Sequence, residues 1–135
     1  SLGAAILGGM ENGSDFKSEF NHAYWGSSYS DEEIEKALLK SELGFERAED
    51  ISKTVAQLLD KNFIVCNFQG RSEIGPRALG NRSILANPCL ESNLDRVNKI
   101  KGREHWRPLA PSILEEDYFD IVDTKHHSPY MLMAC

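Results

Sequence analysis

The chain has 135 residues, 41% of them hydrophobic and 27% charged, with a formal net charge of −6. These proportions fit a single soluble globular domain and exclude a disordered tail, a collagen-like repeat and a disulfide scaffold. No apolar run approaches the ~18 residues that would span a bilayer. The opening SLGAAILGGM is too short and lacks the basic flank of a signal peptide, so neither a span nor a leader is expected.

The first ten residues are small and apolar and read as the end of one packed element. A polar stretch from Glu11 to about Asn21 then reads as a linker. Ser30 followed by Glu33 is a capping box, and Ile34, Ala37 and Leu38 fall on one face of a helix ending near Lys40. A second amphipathic helix is expected from Asp50 to Asp60, with Ile51, Val55, Leu58 and Leu59 in one stripe. The run FIVCNF is β-branched and aromatic and reads as a buried strand, which would make Cys66 a small core residue. Residues 70–80 are too rich in Gly, Pro and charge to continue it and form a structured loop. A short strand is expected at 83–86, then a helix capped by Ser92 with Leu94, Val97 and Ile100 facing inward up to Gly102. Residues 108–114 read as an edge strand because of Pro108 and Pro111, residues 115–120 as one helical turn, and SPYMLMAC as a strand beginning where the sequence stops. Helices and strands alternate, which points to an α/β or α+β domain with a mostly buried sheet, truncated at its end.

Cys66, Cys89 and Cys135 have no CxxC or Cys/His spacing, so no disulfide framework and no zinc site is expected and a cytoplasmic location fits best. Charge is unevenly spread. Residues 1–66 carry 6 Lys/Arg against 12 Asp/Glu, residues 67–107 carry 8 against 4, and residues 108–135 carry 1 against 5. A basic segment between two acidic ones fits either a local anion site or a solvated helix face.

Within that segment Arg71, Arg77, Arg82, Lys101, Arg103 and Arg107 fall in loops or at element ends, where side chains can converge. Guanidinium groups bind phosphate or carboxylate through paired hydrogen bonds, and Gly70, Gly75, Gly80 and Gly102 let backbone approach closely. The spacing is neither GxxxxGK nor GxGxxG. The residues alone specify an anion site and no more.

The sequences GRSEIGPRALGNRSILANP and RVNKIKGREHWRPLAPSIL resemble the carboxy-terminal region of the NodU/CmcH-type carbamoyltransferases. The resemblance implies that residues 1–22 are the end of an actin-like domain and its linker. It also implies that residues 23–135 are the amino-terminal portion of a YrdC-like domain, a twisted mixed sheet with flanking helices. In that family the YrdC-like domain makes carbamoyl adenylate from carbamoyl phosphate and ATP, with Mg²⁺ accompanying the nucleotide, and the actin-like domain passes the carbamoyl group to a small-molecule hydroxyl acceptor. Lys101 and Arg103 resemble the Lys-x-Arg phosphate element and are expected to hold phosphates. Arg77, Arg82 and Ser83 are placed beside them by analogy, with Arg71 and Arg107 in supporting contacts. The later Ser-x-Asn element of the family lies outside this sequence, so the chain by itself is expected to be inactive.

Other readings stand beside these. Glu73 could pair with an arginine or move a proton, Trp106 could be core or stack an adenine, and His105 could touch phosphate or be a plain surface residue. His126 and His127 fit a surface loop, while Asn81 and Asn87 fit turns. Beside the enzyme stands a non-catalytic nucleotide- or RNA-binding module using the same basic cleft, although net acidity makes a nucleic-acid partner the weaker choice.

Overall fold

The computed structural model describes residues 2–16, 21–124 and 126–133. Helices and one small sheet make up an α+β fold in the order α1 (Leu2–Glu11), α2 (Asp31–Lys40), α3 (Ile51–Asp60), β1 (Val65–Phe68), β2 (Arg82–Leu85), α4 (Ser92–Ile100), a 3₁₀ turn (Glu115–Asp117) and α5 (Tyr118–Ile121).

The helices form where the sequence carries their start signals. Ser30 accepts the backbone N–H of Glu33 while the Glu33 carboxylate accepts that of Ser30, closing the box that starts α2. The Asp50 carboxylate accepts the Lys53 N–H at 2.9 Å to start α3. At the far end of α3, Asn62 takes a left-handed φ of 62° and Phe63 N–H reaches back to Leu58 O, closing a Schellman stop. Helix α4 begins differently from expectation: Glu91 is its N-cap and makes no side-chain bond, while Ser92 is already helical.

Strands β1 and β2 pair antiparallel, with Val65 opposite Leu85 and Phe68 opposite Arg82. Among the described residues this two-stranded sheet contains all the strand pairing, and it is half-exposed rather than buried. A lone pair with no further sheet among the described residues packed on its outer face leaves alternate side chains in solvent, so Cys66 and Phe68 are exposed. Residues 108–114 run extended without a ladder, and residues 128–133 form turns and bends. No strand forms in either place among the described residues, because two prolines and the lack of a neighbouring edge remove the hydrogen bonds a strand requires. The last two residues of the expected terminal strand lie outside the described residues.

The tightly packed centre is small. Among the described residues Ala23 and Val97 are the buried apolar ones, and Asn93 and Asn98 are buried beside Val97 on one face of α4. Ile100 is exposed, so the inward face of α4 is Asn93, Leu94, Val97 and Asn98 rather than an apolar stripe.

Candidate functional site

The loop between β1 and β2 is built on backbone pairing with the segment that enters the domain. Gly26 N–H bonds Ser72 O, Ser72 N–H bonds Ser27 O and Ile74 N–H bonds Ala23 O, at 2.8 to 2.9 Å. A Cβ on Gly26 would stand 2.7 Å from the Ser72 Cβ, so the approach requires glycine. The Tyr24 hydroxyl adds a bond to Leu79 O at 2.9 Å.

Glu73 organises the other side of this loop. Its Oε1 accepts the backbone N–H groups of Leu79, Asn81 and Arg82 at 3.0, 2.7 and 3.2 Å. Burial pushes this carboxyl up, but those N–H groups and its own outweigh burial and hold it below the usual carboxylate range. The expected pairing of Glu73 with an arginine is not what the structure shows: the carboxylate is neutralised by backbone dipoles. Asn81 donates to Arg71 O at 2.7 Å, Asn67 donates to Gly80 O at 2.6 Å, and the Ser83 hydroxyl accepts from Gly80 N–H at 3.0 Å.

Two of the arginines are consumed in the same construction. Arg71 donates to Gly26 O and Trp25 O at 3.1 and 3.3 Å. Arg82 lies over the Phe68 ring, 3.6 Å from its centroid, and donates to the carbonyls of Gln69, Gly70 and Asn81. Arg77 stands at the exposed tip of the loop, with no ion pair or hydrogen bond among the described residues.

The second basic element is the end of α4. Lys101 is the C-cap, Gly102 has φ +59° and Arg103 N–H returns to Asn98 O at 3.1 Å, so Lys-Gly-Arg is first of all a Schellman stop. Asn98 is fully buried and its side chain binds this turn three times. Its amide donates to His105 O and Arg107 O, each at 2.9 Å, and its Oδ1 accepts from Arg103 Nε at 2.6 Å. Arg103 also reaches Pro108 O at 3.4 Å, and Arg107 pairs with Glu104 at 2.7 Å. Lys101 is exposed and, among the described residues, unpaired. Trp106 is 66% exposed, so it is not core, and His105 is exposed as well.

The structure therefore assembles the candidate residues as two clusters. Arg71, Arg77, Arg82 and Ser83 belong to the Glu73 loop, and Lys101, Arg103 and Arg107 to the Asn98 turn. Of the two organisers, the sequence singles out Glu73 but with an arginine rather than backbone N–H groups as its partner, and it gives no reading of Asn98. Asn93 was missed too; it holds Asn62 Oδ1 and Asn87 O and accepts from Arg96. A signal for the asparagines exists in the i, i+4 spacing of Asn93 and Val97, with Asn98 adjoining, on the one apolar face of α4.

Residues 56–135 match the family model described as carbamoyltransferase C-terminus. This chain belongs to that family. The carbamoyltransferase match includes both basic clusters. Nodulation protein NolNO of Sinorhizobium fredii is 41% identical over 97% of this chain and 20% of its own length. Nodulation protein NolO of Bradyrhizobium diazoefficiens is 40% identical over 97% of the chain and 25% of its own length. Nodulation protein U of Sinorhizobium fredii is 50% identical over 58% of the chain and 14% of its own length. The chain thus spans a quarter or less of each of these relatives.

Proposed function

We propose that this chain is the anion-binding part of an ATP-dependent O-carbamoyltransferase, acting in the YrdC-like region of a longer cytoplasmic protein. Family membership carries the proposal, and the two clusters give it a physical form. In the overall reaction carbamoyl phosphate, ATP and water give carbamoyl adenylate, pyrophosphate and phosphate, and the carbamoyl group then passes to a small-molecule hydroxyl. Negative charge moves among phosphoryl oxygens throughout, so cations placed beside those oxygens stabilise the transition states.

Arg77 and Lys101 are the ligand contacts in this reading, because each presents an exposed cation with no partner among the described residues. Arg103 keeps Nη1 for a phosphate while Asn98 holds its Nε. Arg82, Ser83 and Arg71 act through the loop they build, and Arg107 supports the turn. Among the described residues no group of three His, Cys, Asp or Glu could hold a metal. Mg²⁺ would therefore arrive on the nucleotide phosphates, and no ligand to it is assigned in this chain. Among the described residues no helix is long and apolar enough to cross a membrane.

The test is pyrophosphate exchange into ATP, dependent on carbamoyl phosphate, in the full-length protein that contains this chain. Lys101→Ala and Arg77→Lys are each expected to lower the exchange at least tenfold. The arginine substitution should be costly because an ammonium does not reproduce a bidentate fork. Unchanged exchange in both variants would remove the site assignment. Titration of carbamoyl phosphate against inorganic phosphate gives the binding side of the same test.

A further inference from the structure

We infer that Asn98 is a positioning residue for this site: it sets the direction of Arg103 and the course of residues 103–107. The inference rests on the reading of Arg103 given above. Among the described residues Asn98 is the buried side chain with 0% exposure, and every hydrogen bond its side chain makes there goes to this turn. Its backbone carbonyl accepts from Arg103 as well. An asparagine can place one acceptor and two donor hydrogens in a single plane. Here the acceptor fixes Arg103 Nε, and the donors pull the carbonyls of His105 and Arg107 inward. Held by that buried amide, those two carbonyls do not compete for the Arg103 guanidinium, whose carbonyl contact is Pro108 O at 3.4 Å.

Neither aspartate nor leucine reproduces this. Aspartate would still accept from Arg103 but would face the two carbonyls with lone pairs, turning two attractions into repulsions. Asn93 supplies the internal control. It is a second buried asparagine on the same helix with an equally complete set of partners, but those partners are Asn62, Asn87 and Arg96, none of them a candidate ligand contact.

The experiment compares Asn98→Asp, Asn93→Ala and Arg103→Ala in the full-length protein. It reads the KM for carbamoyl phosphate and the kcat in pyrophosphate exchange, the melting temperature, and amide exchange of residues 103–107. Asn98→Asp is expected to raise KM at least tenfold and to unprotect residues 103–107. Asn93→Ala is expected to lower the melting temperature comparably while leaving KM within twofold. If Asn98→Asp does not fold, Asn98→Ala is read in the same way. Equal KM effects from the two asparagines, or a large effect from Arg103→Ala with none from Asn98, overturn the positioning role. No KM effect from Arg103→Ala overturns the ligand reading of Arg103 instead, and residues 103–107 remaining protected in Asn98→Asp would independently defeat the proposed control of the turn.

Discussion

Gly26 and Glu73 show how much a single residue can decide in the β1–β2 loop. Gly26→Ala places a methyl group 2.7 Å from the Ser72 Cβ and 2.9 Å from its carbonyl oxygen. The cost is expected to be about 1–3 kcal/mol, the usual range for overpacking, measurable by denaturant titration. Glu73 links the loop to pH. A carboxyl whose folded pKa lies below its unfolded value stabilises the folded state above the unfolded pKa, and that contribution is lost as pH falls through the folded one. Amide protection at residues 79, 81 and 82 should therefore be constant above about pH 5, past the ordinary glutamate pKa of ~4.3, and fall in more acidic solution. Glu73→Gln should give weaker protection with that acid dependence removed; an unaltered pH profile in the variant would show that another group controls the loop. The sequence placed Glu73 next to three arginines, where an ion pair is the natural guess. Three N–H groups converging from six to nine residues away depend on the loop's backbone path, which no local pattern encodes.

Elements were legible wherever their signals are local. Helix α2 was readable because its start is written in the Ser30 and Glu33 side chains, and α3 because Asp50 precedes an apolar stripe. The cap matters more than usual for α2, which has no buried residue. Ser30→Ala is expected to cost about 1 kcal/mol and to fray the first turn, a loss visible as faster amide exchange at residues 31–34. Strand β1 and its partner were also legible as strands, but their burial was not. An apolar run reports that a segment can be buried, whereas exposure depends on what lies against it, and among the described residues the Phe68 ring meets the Arg82 guanidinium and a tilted Tyr29 ring 6.2 Å away. The same limitation explains residues 108–114, where strand-forming residues lack an edge to join. For α4 the difficulty was chemical: asparagine reads as a turn residue, and only the folded chain shows that Asn93 and Asn98 anchor turns from within a helix.

At the scale of the molecule the accessible surface is 11247 Å². A compact monomer of the same mass would expose about 7,100 Å². The chain therefore buries roughly three-quarters of the surface expected for its size, and its urea m-value should be reduced in about that proportion, since m follows the area exposed on unfolding. A full-sized m-value would show that the chain closes up in solution. An apolar groove of about 380 Å³ between α2 and β1, lined by Tyr29, Ile34, Leu38, Leu43 and Phe68 among others, is part of this excess.

The pairing of residues 23–27 with 72–74 also ties off everything between them as a closed excursion of the chain. Residues 42–49 near its midpoint are exposed throughout, and among the described residues their polar side-chain tie to another element is the surface pair Arg47–Glu35. Such a pair is worth at most about 1 kcal/mol, and doubling the length of a flexible loop adds only about 0.6 kcal/mol of closure entropy. The stretch is therefore a place where the polypeptide can be lengthened or nicked while its two halves stay clasped, leaving both basic clusters downstream undisturbed.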